Sequence, residues 1–135
     1  MAAKSSTIYY AHALCTYGWP RESAELRFLR ASFPSHRVIN PARFKERDMG
    51  FYRGFVAESE GLVFGRLGGK ITAGVGDEVN HALMLGREVF ELVAWNPKFP
   101  DWTLRRVVRR VRFLTRDESI AMYRRFESGE LIEGL

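Results

Sequence analysis

Residues 61–93, GLVFGRLGGKITAGVGDEVNHALMLGREVFELV, decide the fold. Gly61-Leu62-Val63-Phe64 is a short apolar run bounded by glycine, the composition of a strand buried on both faces of a parallel sheet. Val79, Ala82, Leu83 and Leu85 lie between Gly76 and Gly86 at helical spacing, which predicts a helix over 76–85 with glycine just past its end. Glu88 to Val93 then supplies another strand. A strand, a helix and a strand in that order make a crossover unit, and such units are right-handed and join parallel neighbours.

Working towards the N-terminus, residues 7–14 (TIYYAHAL) open with β-branched and aromatic side chains and lead to Gly18-Trp19-Pro20, a strand followed by a turn. Pro20 suits a first helical position. From Arg21 to Ala31, Ala24, Leu26, Phe28 and Leu29 predict an apolar helix face opposite Glu22, Glu25, Arg27 and Arg30. Pro34 stops that helix, and His36 to Ile39 makes a second strand before Asn40-Pro41. Phe44, Met49, Tyr52, Phe55 and Val56 recur at helical intervals through 42–59, a helix or helical pair interrupted near Gly50.

Towards the C-terminus, Leu104, Val107, Val108 and Val111 match a helix by spacing. Their β-branched content, and the Asn96-Pro97 and Pro100-Asp101 turns before them, favour a return strand over 103–112. Thr115-Arg116-Asp117-Glu118 is a capping-box pattern, which starts a last helix through Ile120, Met122, Tyr123 and Phe126. Three strand-then-helix units argue for an α/β fold with a mainly parallel sheet of about 4–5 strands and helices on both faces. Ligands of such sheets gather outside the carboxyl ends of the strands, so the loops 12–20, 40–43 and 65–76 are expected to line a nucleotide-sized pocket.

The totals fit one domain over residues 1–135, with 95–135 as a C-terminal strand and helix extension. Apolar residues make up 46% and charged residues 27%, a globular composition rather than a disordered one. No apolar run is long enough to span a membrane and MAAKSS lacks a signal-peptide pattern, so a cytoplasmic location is expected. One cysteine, Cys15, excludes an internal disulfide and is read as a small buried filler. His12, His36 and His81 stand at unrelated spacings, so neither a metal nor another cofactor is expected. The absence of glutamine and the scarcity of asparagine hint at a thermophilic source.

The link from Gly65 to Glu78 carries five glycines between a buried strand and a helix. It is neither a Walker A loop nor a dinucleotide fingerprint. Its chemistry fits a phosphate cradle and a plain connector equally well. Gly74-Val75-Gly76-Asp77-Glu78-Val79-Asn80-His81-Ala82, followed by Leu85-Gly86-Arg87-Glu88-Val89, resembles the signature of the nucleoside 2-deoxyribosyltransferase superfamily, which includes the deoxynucleoside 5′-monophosphate N-glycosidases. Ile8-Tyr9-Tyr10-Ala11 is similar to that family's first strand, and Val56 to Val63 to its approach to the third. The likeness runs over about residues 7–94.

The resemblance implies a Rossmann-like, flavodoxin-like three-layer sandwich and cleavage or transfer of the N-glycosidic bond of a nucleoside or nucleotide. It assigns Glu78 as nucleophile, Tyr9 as its orienter and Glu60 as a helper. A carboxylate in that role forms and then releases a glycosyl ester. In the first turn of a helix the dipole would keep it ionised, although an acidic residue near a helix start is also simply a good first-turn residue. Thr72 is implied as a contact to a 5′-phosphate, Arg21 could supply charge there, and His12, Gly74 and Gly76 complete the expected substrate-binding set. Glu60 stands where the family generally has aspartate, and the first loop lacks the glycine- and serine-rich form used for phosphate, so the substrate class stays open. A homo-oligomer is implied by the same resemblance.

A non-catalytic nucleotide-binding or sensing module is the alternative reading, and it tolerates Glu78 and Glu60 diverging. Arg105 to Arg116 holds six arginines and no acid. Its leading reading is a solvated face or a set of interchain ion pairs, with nucleic-acid association as the further alternative, to be judged by whether the basic surface is continuous.

Overall fold

The computed structural model describes residues 5–13, 18–44, 49–94 and 102–129. The elements in chain order are β1 (Ser5–Ala11), α1 (Pro20–Ser32), β2 (Arg37–Ile39), a 3₁₀ turn (Pro41–Phe44), α2 (Met49–Glu58), β3 (Ser59–Phe64), α3 (Ala73–Met84), β4 (Glu88–Ala94), β5 (Trp102–Val107) and α4 (Arg116–Glu127). The protein is α/β, with one five-stranded sheet in the order β2-β1-β3-β4-β5. The first four strands are parallel, and β5 returns antiparallel along β4, with Val89 opposite Val107 and Ala94 opposite Trp102.

Alternation along β1 sorts the core into two layers, because successive side chains point to opposite faces. Ile8 and Tyr10 turn to one face, where they meet Leu26 and Leu29 of α1, Val63 and Leu92. Tyr9 and Ala11 turn to the other, against Val56 of α2 and Val75, Val79 and Ala82 of α3, together with Leu62, Phe64 and Val89. β3 is buried along nearly its whole length, as its unbroken apolar run requires.

The connection after β1 runs one way along the sheet and the connection after β3 runs the other, so the order reverses between β1 and β3. The carboxyl end of that reversal is where doubly wound sheets present a ligand crevice. Here it is covered: Ala13 after β1 and Leu67 after β3 pack with Phe126, Met122 and Tyr123 of α4, and the Trp19 ring lies tilted against Phe126 with centroids 4.5 Å apart. The turn Leu67–Lys70 closes on itself through paired backbone bonds of 2.8 and 3.0 Å.

Helix ends follow local chemistry. Thr115 and Glu118 form both halves of a capping box at the start of α4. Gly86, at φ +73°, ends α3: its N–H reaches the Leu83 carbonyl at 3.0 Å and the Arg87 N–H reaches the Ala82 carbonyl at 2.9 Å.

Three expectations need correction. The return strand stops at Val107 rather than running to 112, and residues 108–115 cross irregularly to α4. The helix expected from Gly76 begins three residues earlier, at Ala73. Glu22 and Glu25 do not form the outer face of α1; with Leu26 and Leu29 they make its buried stripe, at the i, i+3, i+4, i+7 spacing of one helix side. Cys15 and the middle of the first loop lie outside the described residues.

Candidate functional site

Glu78 sits on the inner stripe of α3, sharing it with Val75, Val79 and Ala82. That places a carboxyl inside the core layer between α3 and the sheet, 7% exposed. Tyr9, fully buried in the middle of β1, turns to the same layer, and its hydroxyl interacts with the Glu78 carboxyl. The Glu78 oxygen Oε2 is buried and has no hydrogen-bond partner among the described residues.

Burial pushes the Glu78 carboxyl from its ordinary 4.5 up to about 8; the Tyr9 hydroxyl pulls it down and the nearby Asp77 charge pushes it further up. The carboxyl is therefore mainly protonated at neutral pH. The expectation that the helix dipole would keep it ionised is corrected here. Because α3 starts at Ala73, Glu78 lies in the second turn, and the dipole's influence fades within the first.

Thr72 is the N-cap residue of α3 but makes no side-chain capping bond. Its hydroxyl is buried and without a partner among the described residues. The first helical N–H, that of Ala73, is met instead by Ser119 Oγ of α4 at 2.9 Å. Thr72 and Glu78 thus carry two unsatisfied oxygens on one helix, six positions apart. A buried unpaired oxygen costs on the order of 1–3 kcal/mol, so two of them on one element mark the place where a ligand group has most to satisfy.

The glycines of the preceding loop do something else. Gly74 and Gly76 lie inside α3 rather than in a phosphate-cradling loop. A Cβ on Gly76 would stand 2.1 Å from Phe113 Cγ, so this glycine is the space into which the 108–115 segment packs. Asn80 holds the same segment from α3, donating to the Val111 carbonyl at 3.1 Å and accepting from its N–H at 2.9 Å. The Leu114 N–H donates to the Ile71 carbonyl at 2.8 Å.

Glu60 is not part of this group. It lies at the amino end of β3, its side chain 51% exposed, and pairs with His36 Nε2 at 2.7 Å. Strand direction separates the two glutamates: α3 follows the carboxyl end of β3, whereas Glu60 is its second residue.

His12 and Arg21 are also drawn away, into a buried polar cluster on the α1 face. The His12 ring stacks on Tyr10 at 3.9 Å, with Nε2 2.6 Å from Glu22 and Nδ1 3.2 Å from the Tyr10 carbonyl. Burial lowers the affinity of His12 for a second proton, against the opposing pull of Glu22. Tyr10 donates its hydroxyl to Glu25, which also accepts from Arg21 Nε at 3.0 Å, and burial with the adjacent carboxylate raises the Tyr10 hydroxyl. Arg21 reaches on to the Arg66 carbonyl at 3.0 Å. Glu22, Glu25 and Tyr10 were not among the expected site residues, yet the i, i+3 spacing of the two glutamates on the Leu26 and Leu29 stripe is a visible signal for them. The buried Glu91, clamped by Arg66 at 3.2 Å and Arg105 at 2.8 Å, was likewise unforeseen.

A groove of about 480 Å³ opens on the outer side of α3, lined by Arg53, Asp77, Asn80, His81, Leu83, Met84, Val108 and Arg110. It differs in place from the pocket expected at the carboxyl ends of the strands. Among the described residues there is no cluster of potential metal ligands and no helix long and apolar enough to cross a membrane. Comparison of the chain with protein-family models, with curated proteins and with solved structures finds no match.

Proposed function

We propose that the protein is a Rossmann-like enzyme that cleaves or transfers an N-glycosidic bond of a nucleoside or nucleotide, with Glu78 as the group that attacks the anomeric carbon. The observation that carries the reading is a buried carboxyl with an unpartnered oxygen, held against a tyrosine of the first strand. In its ionised form Glu78 bonds to the anomeric carbon as the carbon–nitrogen bond breaks. The departing base takes up a proton, and water or a second base then releases the sugar from the ester. Tyr9 orients the carboxyl, and the Thr72 hydroxyl is offered to the bound substrate.

The protonation state makes this reading specific. A carboxyl held near pH 8 must lose its proton before it attacks, so turnover rises with pH towards about 8 and then levels. A general acid at the same position would give the opposite slope.

The separation of Glu60 from Glu78 favours a second reading, a binding module that recognises a nucleotide without chemistry. The deciding experiment incubates the wild type, Glu78→Gln and Glu78→Ala with nucleosides and 5′-monophosphates at elevated temperature and follows free base. Release by the wild type alone supports the glycosidic reading and names the substrate. Silence from all three, with one compound still raising the Tm, leaves the binding module.

A further inference from the structure

We propose that the outer face of α3, together with the segment 108–115, binds single-stranded nucleic acid, independently of any chemistry at Glu78. Three observations converge there.

The first is the arginine run, whose two halves separate in space. Arg105 is spent on the buried Glu91. Arg106 lies on the opposite side of β5 from Arg105, sharing the face of Leu104 and Trp102. Arg109, Arg110, Arg112 and Arg116 are exposed, and none forms an ion pair with a described residue. From Arg109 to Arg116 the chain spans at most ~25 Å, a length that a short oligonucleotide covers.

The second is that this segment is fixed. The paired Asn80–Val111 bonds, the Leu114–Ile71 bond and the seating of Phe113 on Gly76 hold it at three points along α3 and the residues just before it. Arginines on an anchored backbone lose less freedom on meeting a phosphate than the same residues on a loose tail.

The third is the groove beside them. Arg110 and Val108 line it together with His81, Leu83 and Met84 of α3. Met84 is 74% and Val108 73% exposed, so apolar surface of the groove faces solvent. At about 480 Å³ the space suits a flat, partly apolar ring. Arg53 and Asp77 in the lining form an ion pair, Nε to Oδ2 at 2.9 Å, which offsets the carboxylate there.

Guanidinium groups bind phosphate in a forked geometry and stack on aromatic faces. A groove with apolar lining beside exposed arginines fits a base flanked by phosphates. An anionic membrane surface calls instead for apolar side chains that protrude, and Met84 and Val108 line a depression.

The test uses a labelled oligothymidylate of about 12 nucleotides, followed by fluorescence anisotropy from about 50 to about 300 mM salt. Three arginines on three phosphates predict a slope of log affinity against log salt near −2, from roughly −0.7 per contact. Arg109→Glu/Arg110→Glu/Arg112→Glu is expected to weaken binding at least tenfold and flatten the slope, while keeping the wild-type Tm. Arg27→Glu/Arg30→Glu/Arg37→Glu, the same charge change on exposed positions of α1 and β2, is expected to leave the slope unaltered. Equal weakening by both variants would reduce the effect to net charge and overturn the site. So would absence of binding at low salt, or binding to phosphatidylserine vesicles in place of the oligonucleotide.

Discussion

Replacing Glu78 by glutamine removes a titrating proton from the core, and the consequence for stability has a definite sign. In the unfolded chain the carboxyl ionises near 4.5; in the native state it keeps its proton until about pH 8. Between those values the native state binds more protons than the unfolded state, so wild-type stability falls as pH rises. Below 4.5 both states are protonated and nothing is lost; above about 8 the loss is complete and constant.

At ~1.4 kcal/mol per pH unit, the gap amounts to roughly 3 kcal/mol at pH 7 and roughly 5 kcal/mol at full ionisation. Glu78→Gln carries no such proton in either state. Its own hydrogen bonding and packing add an offset that does not vary with pH. Urea unfolding of both proteins from pH 4 to 9 gives the stability difference directly, and glutamine should gain on glutamate steadily through the neutral range. A difference that stays flat, or that turns against glutamine as pH rises, would refute the claim that burial governs this carboxyl.

Gly76→Ala drives a methyl into Phe113, and the loss should reach roughly 2 kcal/mol after subtracting the ~1 kcal/mol helix gain of alanine over glycine; Phe113→Ala in the same chain should recover most of it, and a double variant no better than the single would show that the contact is not the cause. Asn80→Ala leaves the Val111 N–H and carbonyl without their α3 partner and should cost roughly 1–3 kcal/mol, with hydrogen exchange at Val111 faster than in the wild type. Thr115→Ala deletes the capping box and should cost about 1 kcal/mol, read from the denaturant midpoint. His36→Ala, which releases the exposed Glu60, should change stability by less than about 1 kcal/mol and leave any base-releasing activity intact; a large loss of that activity would return Glu60 to the site.

Most of the fold was written in local patterns. The glycine-bounded run 61–64 lies in β3 and the Thr115 and Glu118 pair opens α4, whereas Gly50 does not interrupt a helix: it is the second residue of α2. Boundaries slipped where tertiary contacts set them. α3 gains a turn at its start because Ser119 of α4 caps the Ala73 N–H, a partner 46 residues away that no local window contains.

The site was legible in part. The pairing of Tyr9 with the Glu78 layer follows from strand alternation and helix spacing. The protonation of Glu78 does not, since it depends on what α3 is buried against. His12 and Arg21 were expected near the substrate because they flank the first loop, but α1 presents Glu22 and Glu25 inward and engages both. The buried stripe was misassigned for a simple reason: glutamate ordinarily stays in water unless a partner is supplied, and here the partners include Tyr10 of β1 and His12 just after it.

The two rims of the sheet also bear on how copies of the chain can meet. β2, at one rim, is three residues long and carries an exposed Arg37; β5, at the other, carries Arg105 and Arg106 in sequence. Open hydrogen-bonding edges invite strand-by-strand accretion between molecules, and brevity and positive charge both discourage it. A sheet guarded in this way disfavours growth by adding strands, so any assembly of this protein falls to its helical faces and loops, and the route towards fibrous aggregation is obstructed at both ends.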